Sequence, residues 1–94
     1  MNISDWAKHD GYEEASAGIT AEFNPVFKLQ VVLLDDGKHR PIVRDCVSGF
    51  LLEEGPAMVD QGAAKYQTMR LADAFLNRIY QSMRTKLINS NNGG

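Results

Sequence analysis

The stretch from residue 61 to residue 88 constrains this chain most, because it predicts one long amphipathic helix. It contains no proline, and its only glycine, Gly62, lies near its start. At 3.6 residues per turn the apolar side chains fall on one arc and three arginines fall on the opposite arc. We therefore expect a fold built around this helix. The apolar arc comprises Met69, Ala72, Phe75, Leu76, Ile79, Tyr80, Met83 and Leu87.

Length and composition predict a single domain, residues 1–94, of ordinary globular type. A domain of this size buries a modest core, so a contribution from a partner or from self-association is left open. A net charge of −2 gives no bulk electrostatic case for nucleic acid or for acidic membranes. The lone Cys46 excludes an intrachain disulfide, and no apolar run has the length of a signal peptide or a membrane span. These features predict a cytoplasmic protein without membrane contact.

The charges are unevenly distributed along the chain. Residues 1–36 contain seven acidic and two basic residues, whereas residues 61–94 contain five basic residues and one acid, Asp73. Two interpretations follow. Either the opposite charges attract within the fold or across a dimer, or one of the two ends meets a charged partner.

The first residues predict a short capped helix followed by a loop. Over residues 2–11, Ser4 suits the N-cap and Gly11 suits the position after the last turn. Trp6 would hold so short a helix in place, either by packing on the core or as an exposed interface anchor. Residues 12–17 are acidic and short-chained, and they predict a loop or a helical turn. The N-terminal unit is thus residues 1–17.

Antiparallel strands are predicted across residues 18–53. Apolar and polar residues alternate over 19–23 and again over 26–34, where the second run suggests a central strand. Asp36-Gly37 supplies the hairpin turn within residues 35–38. The partner strand begins near His39, and Pro41 assigns it to an edge. Residues 50–52 predict a third short strand or the end of the second, and the hairpin register is left open.

These elements predict an α+β fold. The expected sheet is small and antiparallel, with three to four strands. One long C-terminal helix, residues 60–88 with Asp60 as N-cap, packs on one face, and the short N-terminal helix lies at an end. Residues 89–94 are expected to be a disordered tail.

We find no specific catalytic or metal-binding set of residues. Cys46 has Asp45 beside it, which disfavours a thiolate, and His39 is the only base in the same segment. The spacing of histidines, cysteine and acids fits no zinc pattern, and no glycine-rich phosphate loop is present. The sequence therefore predicts no enzymatic activity, no cofactor and no metal.

Binding is better supported than chemistry. The outward face of the long helix carries arginines interspersed with amides, which suits phosphate or carboxylate groups but is also typical of a solvated face. The adjacent acids Glu13 and Glu14 are most simply solvated surface, and alternatively form part of an acidic docking surface. The candidate partner-binding residues are Trp6, Asp10, Glu13, Glu14, Arg70, Arg78 and Arg84.

The segment YQTMRLADAFL, residues 66–76, resembles the helix entry of small sheet-plus-helix proteins encoded by bacteriophages and mobile elements. It has a threonine, then an alanine and an aromatic residue on one helical face. That resemblance implies a non-enzymatic inhibitor that occupies a nucleic-acid site on a host protein. Acidic residues would then stand in for phosphates, and the basic helix departs from this pattern. The acids suited to the role are Asp5, Asp10, Glu13, Glu14 and Glu22.

We therefore expect a protein-binding module, an inhibitor or adaptor acting on a host nucleic-acid-processing protein. The alternative is a nucleic-acid-binding module that uses the basic face of the C-terminal helix.

Overall fold

A six-stranded antiparallel sheet and one long helix make up the protein. The computed structural model describes residues 1–19, 22 and 24–92, with side chains described through Lys86. The strand order is β1-β3-β4-β5-β6, and β2 lies beyond β1 along the same edge of β3. The elements are β1 (Asn2–Ile3), β2 (Ala7–His9), β3 (Tyr12–Gly18), β4 (Pro25–Leu33), β5 (His39–Asp45), β6 (Leu51–Glu54) and α1 (Gln61–Asn92).

The hairpin between β4 and β5 confirms the strongest strand prediction. Alternating β4 side chains Phe27, Leu29 and Val31 are buried beneath the helix. The register, open in the sequence, pairs Leu29 with Val43. Gly37 takes a φ of 83° in the connecting loop, a conformation that favours glycine.

The predicted N-terminal helix is wrong, because Asn2–Ile3 and Ala7–His9 pair with β3 as the separate strands β1 and β2. The Ser4 backbone N–H donates to the Ser16 carbonyl oxygen at 2.9 Å, and Ser4 Oγ accepts from the Ser16 N–H at 2.9 Å. The supposed N-cap thus belongs to the sheet edge. Gly11, with a φ of 83°, turns the β2–β3 hairpin rather than ending a helix. Asp10-Gly11 is the same dipeptide as Asp36-Gly37 and likewise suits a hairpin turn.

The strand count is also corrected upwards, because β1 and β2 replace the predicted helix and β3 was predicted as a loop or a helical turn. Its helix-facing residues Ala15 and Ala17 are buried opposite Leu29 and Phe27 of β4. Alanine, serine and glycine have low strand propensity, so pairing with β4 specifies this strand more than composition does. The small side chains leave room for the helix above them.

Pro41 does not mark an edge, since β5 lies between β4 and β6. The Pro41 carbonyl oxygen accepts from the Gly55 N–H at 3.0 Å. In an antiparallel strand the nitrogen and the carbonyl oxygen of one residue face the same neighbour, so the Pro41 nitrogen also faces the β6 side. Because β6 ends at Glu54, no backbone N–H is needed there to pair with it. A proline is therefore tolerated inside this sheet because the neighbouring strand is short.

The core lies between the sheet and the first half of α1. Small helix residues Ala64, Thr68 and Ala72 are fully buried there, and Thr68 Oγ1 donates to the Lys65 carbonyl oxygen at 2.6 Å. The predicted N-cap is confirmed, because Asp60 Oδ1 accepts from the Gly62 N–H at 3.2 Å. Buried small residues bring the helix close to the sheet.

The helix is longer than the sheet that supports it. It starts beside Glu13 and reaches Phe27 at the other end of the sheet. There the Phe75 ring packs edge-on against the Phe27 ring, with the ring centroids 5.8 Å apart. Residues 61–78, the covered segment, span about 27 Å, close to the roughly 30 Å of β4. Residues 79–92, the projecting segment, extend about 20 Å further. The longest dimension of the molecule is accordingly 55 Å.

Two predicted stretches fall partly outside the described residues. Of the strand predicted at 19–23, Ile19 follows the end of β3 and Glu22 lies in a turn, while residues 20, 21 and 23 lie outside. The helix continues to Asn92, into the predicted tail, and residues 93–94 lie outside the described part.

Candidate partner-binding surfaces

Trp6 lies between β1 and β2 and is half-buried against the core. Lys65 Nζ of the covered segment is 5.3 Å from the centroid of its ring, within cation–π distance. Of the two interpretations of Trp6, this placement favours packing on the protein's own core.

Glu13 joins the sheet to the first turns of the helix. Its carboxylate lies 3.0 Å from Lys65 Nζ and also accepts a hydrogen bond from Gln61 Nε2. The side chain is only 15% exposed. Glu13 is therefore neither a solvated surface residue nor a free acidic contact. It stabilises the contact between the sheet and the start of the helix.

Glu14 points to the opposite, open face of the sheet and belongs to a polar chain there. Its Oε1 accepts from Gln30 Nε2 at 2.9 Å, and Gln30 Oε1 accepts from Arg44 Nε at 2.9 Å. His9 Nε2 lies 3.8 Å from Glu14 Oε2. These bonds run across β3, β4 and β5, so Glu14 is held within the sheet surface.

The remaining acids of the predicted phosphate-mimicking set lie far apart. Asp10 is exposed in the β2–β3 turn, at the end of the sheet where the helix begins. Glu22 is exposed in the β3–β4 connection at the other end, and Asp5 lies between β1 and β2. Together with the internal bonding of Glu13 and Glu14, this leaves no continuous acidic surface among the described residues.

The three helix arginines have different environments. Arg70 is exposed on the covered segment, and Arg84 is exposed on the projecting segment. Arg78 lies between them, forms an ion pair with Glu53 of β6 and has its guanidinium carbon 5.9 Å from the centroid of the Phe75 ring. The arginines therefore do not form an uninterrupted basic line along the helix.

Exposed apolar side chains are concentrated where the helix leaves the sheet. Val47 and Phe50, in the β5–β6 hairpin, are 94% and 74% exposed. This hairpin follows Asp45, which pairs with Phe27, the residue that contacts Phe75 at the point where the helix leaves the sheet. We call this surface the apolar end, and it comprises Ile19, Val47, Phe50, Leu51, Ile79, Tyr80 and Met83.

An open cleft of about 270 Å³ lies at the other end of the sheet. Four of its polar side chains are already engaged: Glu13 accepts a hydrogen bond from Gln61, and the His9 ring stacks on Tyr12 with centroids 4.7 Å apart. The cleft is slightly smaller than typical ligand pockets. Its lining is Lys8, His9, Gly11, Tyr12, Glu13, Val31, Leu33, His39 and Gln61.

The residues considered for catalysis are not brought together. His39 begins β5 and Cys46 follows its end, about 20 Å away at strand rise. The Asp45 carboxylate accepts from the Ser48 N–H at 2.7 Å and from Ser48 Oγ at 2.8 Å. The Ser48 N–H and hydroxyl, with the Val47 N–H, hold the pKa of Asp45 below its usual value. No group of three or more potential metal ligands occurs among the described residues.

Comparison with protein-family models, curated proteins and solved structures finds no match. Within the part of the chain that the structure describes, no helix has the length and apolar character to cross a membrane. Sequence reasoning missed the exposed apolar side chains of the β5–β6 hairpin. The signal was present in the Val47 and Phe50 side chains on either side of Ser48-Gly49.

Proposed function

We propose that this protein is a non-enzymatic protein-binding module whose docking surface is the apolar end. The observation that carries the proposal is the concentration of exposed large apolar side chains there, with Phe50 74% and Tyr80 61% exposed. Exposed apolar patches of this kind typically mark protein interaction sites. Aromatic side chains are also the residue types most enriched among energetically important interface contacts.

The internal bonding of the polar candidates supports the same proposal. Glu13 with Lys65, and Arg78 with Glu53, bind the helix to the sheet. These charged groups therefore stabilise the fold itself. The side chains of the apolar end are between 42% and 94% exposed, so a large part of their apolar surface is available to a partner.

Site-specific photo-crosslinking tests the proposal. A photoreactive phenylalanine analogue replaces Phe50 or Tyr80 in the full chain, and the matched control replaces Tyr66. Tyr66 and Tyr80 are on the same helix and are both 61% exposed. We expect protein adducts from positions 50 and 80 in cells, and none above background from position 66. Equal adducts at all three positions, or none at 50 and 80, would contradict the proposal.

Nucleic-acid binding is the alternative, and the exposed Arg84 and Lys86 favour it, because residues 74–94 contain no acid. Against it, the basic line is interrupted where Arg78 pairs with Glu53. Gel shifts with single- and double-stranded nucleic acids decide between the two. Binding that weakens steeply with salt and is lost in Arg70→Ala/Arg84→Ala would favour the alternative.

A further inference from the structure

We propose that the apolar end is covered by a second copy of this chain, whose projecting segment packs antiparallel against that of the first. The inference rests on the proposed protein-binding function and names the partner. It assigns the projecting segment, residues 79–92, as the main contact and the β5–β6 hairpin as the secondary one.

The spacing of apolar residues at the helix exit suits another helix. Leu76, Ile79 and Met83 follow one another at intervals of three and four residues, the spacing of a helix–helix seam. Ala72 continues the seam into the core. The face that packs on the sheet thus continues past the sheet, where Ile79 is 42% and Met83 59% exposed. A second helix would occupy the layer that the sheet occupies along the covered segment.

The exposed area fits a stable dimer. Of the seven side chains at this end, the six on the β5–β6 hairpin and the helix are between 42% and 94% exposed. Since a large side chain exposes on the order of 200 Å² at most, they offer roughly 700 Å² per copy. Two copies would then bury about 1,400 Å² in total if all of this area is covered, within the usual size range of specific interfaces. The six residues are Val47, Phe50, Leu51, Ile79, Tyr80 and Met83.

Charge and direction favour the antiparallel arrangement. In that arrangement each projecting segment runs towards the sheet end of the other copy, where its Phe50 is exposed. Lys86 of one copy is then shifted towards the sheet end of the other, which carries the acidic residues Glu22 and Asp45. An in-register parallel pair would instead place the two Lys86 residues at the same level, at a cost in repulsion.

Light scattering after size exclusion tests the second copy directly. We expect nuclease-treated full-length protein to have about twice the 10.4 kDa chain mass at about 100 µM and to dissociate on dilution. Tyr80→Glu and Met83→Glu should each raise the dissociation constant at least about tenfold, because Met83→Glu places a charge in the seam and Tyr80→Glu places one beside it. The matched control Tyr66→Glu should leave it unchanged, and circular dichroism should find all three variants equally helical.

Spin labels test the orientation. In a Cys46→Ser background, Ala74→Cys carries a label near the helix exit. If the helices cross near residue 83, antiparallel packing separates the two labels by roughly 27 Å, whereas parallel packing brings them within about 10 Å. A short separation would overturn the antiparallel arrangement.

The failure of this inference is distinguishable from that of the proposed function. A monomer at about 100 µM, or a dimer unaffected by Tyr80→Glu and Met83→Glu, overturns the second copy. If positions 50 and 80 then still crosslink to a different protein, the docking surface stands and only its occupant changes. If those positions crosslink to no protein, both proposals fail together.

Discussion

The two halves of helix α1 have the same apolar periodicity but opposite environments. In the covered segment, Ala64 and Ala72 are fully buried against the sheet. In the projecting segment, Ile79 and Met83 occupy the continuing face and are largely exposed. The sheet ends while the pattern goes on. Helical periodicity therefore predicts that an apolar face will be covered. The length of the neighbouring sheet decides whether the sheet or another partner covers it.

Burial, rather than residue type, separates the two segments. The fully buried helix positions carry small side chains where the helix lies close to β3 and β4, whose own facing residues include Ala15 and Ala17. The larger side chains of the covered segment flank these positions and are partly buried against the core, namely Met69, Leu71, Phe75 and Leu76. Side chains of similar size on the projecting segment, such as Met83, are exposed because no sheet lies beneath them.

The sharpest test of this difference introduces a glutamate either on the buried face or on the exposed face of the covered segment. Ala72→Glu should abolish folding or cost more than about 4 kcal/mol in the free energy of unfolding, because it buries an unpaired carboxylate. Ala74→Glu, on the exposed face, should change the free energy by less than about 0.5 kcal/mol. Urea unfolding followed by circular dichroism measures both. A cost for Ala72→Glu as small as that of Ala74→Glu would mean that the helix does not pack on the sheet in this register.

A smaller effect is expected at Gly55, which seats the covered segment. A Cβ at this position would lie 2.9 Å from Pro41 Cγ and 3.3 Å from Leu71 Cδ1. Gly55→Ala should therefore destabilise by about 1–3 kcal/mol in urea unfolding. At Gly62, in the first turn, a Cβ meets nothing closer than 3.7 Å. Gly62→Ala should stabilise by about 0.5 kcal/mol, and the same sign at both sites would contradict this assignment.

The ion pairs at the two ends of the covered segment should differ in strength. Glu13 and Lys65 have side chains 15% and 27% exposed, whereas Arg78 at the helix exit is 65% exposed. Double-mutant cycles should give a coupling of about 1 kcal/mol for Glu13–Lys65 and about 0.3 kcal/mol for Glu53–Arg78, because solvent screens the second pair. Glu13→Gln with Lys65→Met, and Glu53→Gln with Arg78→Met, supply the variants. A larger coupling at the exit would reverse the proposed order.

The smallest effect concerns pH and the hairpin of the apolar end. Hydrogen bonds from Ser48 and Val47 lower the pKa of Asp45 in the folded protein. The stabilisation by the Asp45 carboxylate should therefore be complete above its unfolded-state pKa of about 3.9 and be lost as pH falls through the lower folded value. The stability difference between the wild type and Asp45→Asn should shrink over that window. Carbon-13 NMR should find the Asp45 pKa raised towards its usual value in Ser48→Ala, and no change would exclude the hydroxyl as a cause.

The predictable parts of the fold were those encoded by local pattern. Helix α1 follows from its periodicity and its Asp60 cap, and β4 follows from alternation bounded by Asp36-Gly37. Strand β3 could not be recognised by composition, because Ala15, Ser16 and Ala17 form a strand only through pairing with β4 and contact with the helix. The local signal for β2 is Asp10-Gly11, a dipeptide that favours a hairpin turn and here prevails over the helix-capping pattern around it.

The candidate site was harder to predict because it depends on where elements end. The sequence placed Ile79 and Met83 on the same arc as Ala72, and nothing local indicates that the sheet stops near Phe27. Likewise, the sequence pattern predicts Glu13 and Arg78 as surface charges. The folded protein instead brings Lys65 beside Glu13 and Glu53 beside Arg78. Only the three-dimensional structure separates the candidate residues that stabilise the fold from those that remain exposed.

Trp6, the only tryptophan of the chain, lies beside the covered segment, with the Lys65 ammonium 5.3 Å from its ring. Its fluorescence therefore reports specifically on whether the helix is seated on the sheet. Undocking would expose the indole and shift its emission to longer wavelength, even if the helix itself stayed intact. The protein thus carries a built-in optical probe at one end of its helix, well separated from the surface that we assign to a partner.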